Sequence, residues 1–147
     1  MRSFAELVDW LAAAGIEHRA DATHALVELP SAALPDDGTV VLVWRARATV
    51  DVVHQFAWPV PDDASALLDA IARLNHALAL PGVGIDHARR RAYVRVAIAR
   101  VDGALEAAVL GTVLTEVIAM ARDLGPRLRA VAEGELPAAA ILDPIGA

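Results

Sequence analysis

The sequence predicts an α+β domain: a helix, antiparallel sheet strands, a helix, two more strands and a long helix, with the helices packed on one sheet face. Three observations predict it. Thr39 to Trp58 (TVVLVWRARATVDVVHQFAW) runs without Gly or Pro and is crowded with Val, Trp and Phe, residues that suit a pleated, half-buried surface. The segments on either side carry apolar residues at helical spacing. Along the chain, strand signals alternate with helix signals, as in a sheet covered by helices.

The first helix spans Ser3 to Ala14. Ser3 and Glu6 form a capping-box pattern. Phe4, Leu7, Val8 and Leu11 share a stripe flanked by Trp10, and Gly15 stands where a left-handed residue ends a helix. Ile16 to Ala20 reads as a short strand, Asp21-Ala22-Thr23 as a turn, and His24 to Leu29 as a firmer strand. Pro30 and Pro35 bracket a loop through Asp36-Asp37-Gly38. In the central stretch, Val40, Leu42 and Trp44 share one face of a strand. Val50, Val52, His54 and Phe56 share one face of the next. A strand of twenty residues would far exceed the usual length of about 5–6, so a hairpin is expected. Its reversal falls at Arg45 to Thr49, where no Asn-Gly or Asp-Gly marks it.

Pro59 and Pro61 end this segment, and Asp62 or Asp63 can cap the next helix. That helix spans Ala64 to Leu80, with Leu67, Ile71, Leu74 and Leu78 on one stripe and Leu68 beside it. Val83 to Asp86 and Ala92 to Ala99 read as a hairpin in which Val94, Val96 and Ile98 point one way, Tyr93 and Arg95 the other. After the Asp102-Gly103 turn signal, the longest helix runs from Ala104 to Leu124, and continuation past Gly125-Pro126 would be kinked. Its apolar residues, among them Val109, Leu110, Val113, Leu114, Val117 and Ile118, cover about half the circumference, more than the stripe a little over 100° wide that one sheet face needs. The surplus wants a further partner, either a helix of the same chain or a second subunit, and in the second case these six are the candidate dimer interface. Residues 1–132 form one predicted domain, and 133–147 a flexible or loosely docked tail whose Ile141, Leu142 and Ile145 could tuck onto a neighbouring chain.

Composition excludes several functions. The chain has 147 residues and a net charge of −6, against the basic excess of a general nucleic-acid binder. Cysteine is absent, which removes thiol catalysis, Cys-based zinc sites and disulfides. No window of about 20 residues is apolar and free of charge, so the expectation is a cytoplasmic protein without a membrane span. His18 and His24 flank a predicted turn, yet their spacing matches no metal motif, and neither a metal nor a cofactor is expected. His76 and Asp86-His87 lack a nucleophile beside them. Gly82-Val83-Gly84 follows a helix and leads into a strand, the reverse of a phosphate-binding loop. Arg89, Arg90 and Arg91 cluster at a hairpin tip. No catalytic constellation emerges.

Leu74-Asn75, then Val83-Gly84-Ile85-Asp86, the strand Tyr93-Val94-Arg95-Val96, Asp102-Gly103 and a long apolar helix follow in an order that resembles the type III secretion chaperone-like fold. More specifically, it resembles the YbjN-type family of small bacterial proteins that share it. The likeness spans roughly Phe4 to Leu128. The His87 to Arg91 turn and the unmarked central hairpin depart from the pattern. The resemblance implies a non-enzymatic, homodimeric protein-binding module, chaperone-like or regulatory. Secretion chaperones of this fold are small and acidic, and hold an effector segment extended across the dimer surface. A protein or peptide partner would then meet the outer sheet face and the rim of the central hairpin, with Trp44, Phe56, Trp58 and Arg95 as candidate contacts; core packing is the alternative for the three aromatic residues. The alternative is a small-ligand-binding or enzymatic domain with a pocket between helix and sheet near His54.

Overall fold

The computed structural model describes residues 1–30, 38–46, 48–79 and 81–143. Strands β1 (Arg19–Asp21), β2 (Leu26–Leu29), β3 (Thr39–Trp44), β4 (Thr49–Pro59), β5 (Gly82–Asp86) and β6 (Arg91–Ala99) form one antiparallel sheet in the order β1-β2-β3-β4-β6-β5. Helices α1 (Phe4–Ala13), α2 (Ser65–Ala77) and α3 (Ala107–Ala132) complete the fold. The predicted class and the packing of helices on one sheet face are what the structure shows.

Local chemistry explains the boundaries. Ser3 Oγ accepts the Glu6 N–H at 3.2 Å, while the Glu6 carboxylate reaches back to the Arg2 N–H at 2.8 Å, one residue earlier than a capping box requires. Gly15, at φ +67°, ends α1 with its N–H on Ala12 O, and the Ile16 N–H reaches Leu11 O. These are the paired bonds of a Schellman motif. They commit Ile16 to the helix end, so the first strand begins at Arg19 rather than Ile16. The loop after Pro30 lies mostly outside the described residues.

The central stretch is a hairpin, with Trp44 opposite Val50 and Val40 opposite His54. Its reversal uses ordinary residues. Ala48 takes a left-handed φ of +59° and the Arg45 N–H closes onto Thr49 O at 2.9 Å. Arg47 lies outside the described residues.

α2 is shorter than its apolar stripe suggests, because Leu78 is already extended. Asp63 does not occupy the cap position itself, but its carboxylate accepts the Ser65 N–H at 3.0 Å. The Asn75 amide then pairs with both the N–H and the C=O of Val83, each at 2.8 Å. Asn75 thereby occupies the outward backbone groups of Val83 on the edge strand β5, which would otherwise be open to another chain.

α3 starts three residues later than expected and continues through Pro126 to Ala132. Pro126 cannot donate to the carbonyl four residues back, but it lies on the exposed side of the helix. Leu124, Leu128 and Val131 keep the buried stripe in phase beyond it. Past Glu133, where the sequence suggests a loose tail, Ala138–Leu142 forms a 3-10 turn. Ile141 is fully buried in the core there, and Arg127 donates to Ala140 O at 2.7 Å. Leu142 is exposed, and Ile145 lies outside the described residues. The core continues through Leu7, Leu11, Leu42, Val52, Leu67, Leu74, Val94, Leu110 and Leu128.

Candidate functional site

Alternation along each strand sends successive side chains to opposite faces of the sheet. In β4 the even-numbered residues Val50, Val52, His54 and Phe56 lie in the core beneath the helices. The odd-numbered Asp51, Val53 and Gln55 face the other side, which no helix covers. The register places Val41 opposite Val53, Val53 opposite Arg95, and Val43 opposite Asp51. Together with Leu26, Glu28 and Tyr93 these residues line a hollow of about 690 Å³ on the open face.

Asp51 is the singular residue of that face. It is fully buried, although no helix lies over it. Its Oδ2 accepts from Arg45 Nε at 2.8 Å and lies 3.2 Å from Arg95 Nη2, and Oδ1 has no hydrogen-bond partner among the described residues. The two guanidinium groups remain half-exposed. A buried carboxylate is costly unless paired and hydrogen-bonded, and here two arginines share it. Their aliphatic stems can shield it while the charged heads stay in water. Arg45 is further fixed through its backbone, since Arg100 Nη2 donates to Arg45 O at 2.7 Å while its guanidinium sits 4.3 Å over the Trp44 ring.

The rim is also polar and paired. Tyr93 stands against Gly84, where an added Cβ would fall 2.5 Å from the phenol oxygen. Glycine is what lets the ring lie there. Asp86 accepts the Arg89 N–H at 3.0 Å and the Arg89 side chain at 2.9 Å. That side-chain bond, more than any other contact, lowers the Asp86 pKa. Asp21 is held low in the same way by His24, whose Nδ1 lies 2.7 Å from Oδ2. His18 instead turns to Ile16 O at 2.8 Å, so the two histidines do not converge. Among the described residues no group of three or more His, Asp or Glu is placed to hold a metal.

Of the residues expected to meet a partner, Arg95 alone lies on the open face. Phe56 is buried in the core, and Trp44 and Trp58 pack against that core from the helix side. Strand parity accounts for this, because their even numbers put them with Val52 and His54. Phe56 stacks on Trp58 at 5.5 Å and meets the His54 ring edge-on at 4.9 Å. His54 is therefore part of the core rather than the lining of a pocket. A hollow between helix and sheet does occur farther along, about 680 Å³, where Trp58 and Pro59 face Ala121, Gly125, Pro126 and Arg129. The Trp58 Nε1 is buried without a hydrogen-bond partner among the described residues.

On α3, Leu110, Leu114 and Val117 are buried within this chain, because they face its own sheet. They are not available to a second subunit. Val109 is exposed and Val113 and Ile118 are half-buried. The arginine cluster of the β5–β6 turn is largely committed to its own chain. Arg90 donates to Val60 O at 2.6 Å and pairs with Asp62 at 2.7 Å, and Arg91 donates to Ala57 O. Sequence reasoning passed over Asp51, Arg45 and Tyr93. The available signal was a lone acid set between Val50 and Val52, in the most β-prone stretch of the chain.

No described helix is long and apolar enough to cross a membrane. No curated protein matches the chain. In fold it is similar to the crystal structure of "YbjN, a putative transcription regulator from E. coli", with a TM-score of 0.62 and 17% identity over 90% of this chain and 93% of that one. The model of the YbjN family, described as "Putative bacterial sensory transduction regulator", matches residues 3–130, and the chain belongs to that family.

Proposed function

We propose that this chain is a non-catalytic regulator, chaperone-like or adaptor in action, that binds a protein segment on the helix-free face of its sheet and works as a cytoplasmic homodimer. One observation carries the reading. A sheet with one face on the core and one in water alternates apolar with polar residues, yet here Val41, Val43 and Val53 bring apolar surface to the open side, next to the buried Asp51. Apolar surface kept in a hollow rimmed by polar groups fits a contact surface for another chain. The titratable groups of the face fit binding better than catalysis. Asp86 and Asp21 are held ionised by their partners, whereas a general acid needs its pKa raised toward the working pH. The flank of α3 that carries the exposed Val109 and the half-buried Val113 suits self-association about a two-fold axis.

A photo-crosslinking side chain placed at Val53, with a control at the exposed Ala72 on α2, tests the face in native cell extract. One defined protein captured from Val53 and not from Ala72 is the expected result. Equal capture from both positions, or a small molecule co-purifying with no captured protein, would give the role to another surface. In the second case the hollow beside Trp58 becomes the site. Light scattering tests the dimer, and a monomer at tens of micromolar would rule out a stable interface of about 1,600 Å².

A further inference from the structure

We infer that Arg45 and Arg95, positioned by Asp51, form a clamp for a carboxylate on an extended acidic segment of the partner; this rests on the open face being the binding surface. Two guanidinium groups share one carboxylate, so a positive charge is left over on the face, toward the β3–β4 turn. Each arginine engages Asp51 through one nitrogen only, Nε of Arg45 and Nη2 of Arg95. Both Nη groups of Arg45, and the Nε and Nη1 of Arg95, are left without a hydrogen bond among the described residues. The guanidinium is a planar fork that matches a carboxylate in pairs of parallel bonds, and one already held in place loses less freedom when it binds. The side chains of Arg45 and Arg95 are 55% and 46% exposed, while that of Asp51 is 1% exposed. An incoming group therefore meets the donors and not the acid. The surroundings complete the match: an extended segment presents every second side chain to the sheet, so an acidic residue between the arginines would leave apolar neighbours over Val41 and Val53. Asp51 is a positioning residue here, and the arginines make the contact.

The probe is a capped synthetic peptide of alternating valine and glutamate, compared with its glutamine counterpart by calorimetry on the full chain. The glutamate peptide is expected to bind about tenfold more tightly, the difference that one charge-assisted pair supplies. That ratio should shrink toward one in about 0.5 M salt, where exposed charges are screened. Arg45→Gln and Arg95→Gln should each reduce the ratio, chiefly by weakening binding of the glutamate peptide. Asp51→Asn should reduce it less, because the donors remain but are no longer held. The salt series needs no variant, so the inference stays testable if a substitution fails to fold. Equal binding of the two peptides overturns the clamp and leaves the open face as a peptide surface. Binding of neither peptide overturns the clamp, and the crosslinks at Val53 then decide the face separately. An undiminished ratio in both arginine variants would place the charge preference elsewhere.

Discussion

Strand β4 buries an ionisable side chain on each of its faces, and the two are buried by different means. On the covered face His54 lies between Val40 and Val94 in register, with helices above and the Phe56 ring at its edge. On the open face Asp51 lies between Val43 and Ala97 with no helix above it, and the side chains of two arginines enclose it. Burial on the first face is made by the fold as a whole. On the second no helix takes part and the paired arginines remain half-exposed, so the surroundings can be remodelled without taking the core apart. That difference separates a face buried by the whole fold from one whose burial is local.

The largest expected effect tests this separation directly. Phe56 is 1% exposed, while Val53, three residues earlier on the open face, is half-buried. Phe56→Ala should cost about 3–5 kcal/mol, the usual loss for an aromatic removed from a core. Val53→Ala should cost under about 1 kcal/mol, because less apolar surface leaves water there on folding. Urea unfolding of the two variants measures both. A loss at Val53 as large as at Phe56 would mean that the open face is covered in solution, and the comparison would fail.

A smaller effect sharpens the description of the open face. Gly84 lets the Tyr93 ring lie against the backbone, and its ideal Cβ position is 2.5 Å from Tyr93 Oη and 2.6 Å from Cζ. The obstacle is the far end of a side chain, which can swing away. Gly84→Ala should therefore cost about 1 kcal/mol, at the low end for overpacking, and next to nothing once Tyr93 is also alanine. A double-mutant cycle on urea midpoints reads that coupling. An equal cost in both backgrounds would show that the ring does not rest on Gly84.

The covered face was legible in the sequence, and the open face much less so. The period-two runs at Val40-Leu42-Trp44 and Val50-Val52-His54-Phe56 announced which residues share a side, and the register keeps them together. Composition alone leaves the aromatic residues open to either assignment, because large apolar groups suit interfaces as well as cores. Parity within the same strand, followed through, assigns them to the core. The arginine–aspartate cluster depends on contacts between residues six apart across a turn and on neighbouring strands, which one-dimensional spacing does not display. The far end of α3 was hidden for another reason. Gly125-Pro126 is a strong local stop signal, and it was outweighed by the burial of Leu128 and Val131. Ile141 reads as a stray apolar residue in an alanine-rich tail until the neighbouring helices are in place.

The smallest effect lies at the rim of the open face and has a definite sign in pH. Asp86 is bonded to both the side chain and the backbone N–H of Arg89, and its pKa is lowered from 3.8. A carboxyl whose folded pKa is depressed adds stability that is fully present above its unfolded value, and that contribution is lost as pH falls through the folded value. The gain should be complete at neutral pH, decline below about 3.9, the ordinary value for Asp, and vanish once Asp86 is protonated in both states. Exposure to solvent and salt keeps it small, as for surface ion pairs generally. Carbon-detected NMR of the Asp86 carboxyl should give a midpoint below 3.8. Asp86→Asn should lower the melting temperature slightly at neutral pH, and the difference from the unmodified chain should close in acid. A midpoint at or above 3.8, or a difference that widens in acid, would show that Arg89 does not hold this carboxylate, leaving it free to meet a partner in its own right.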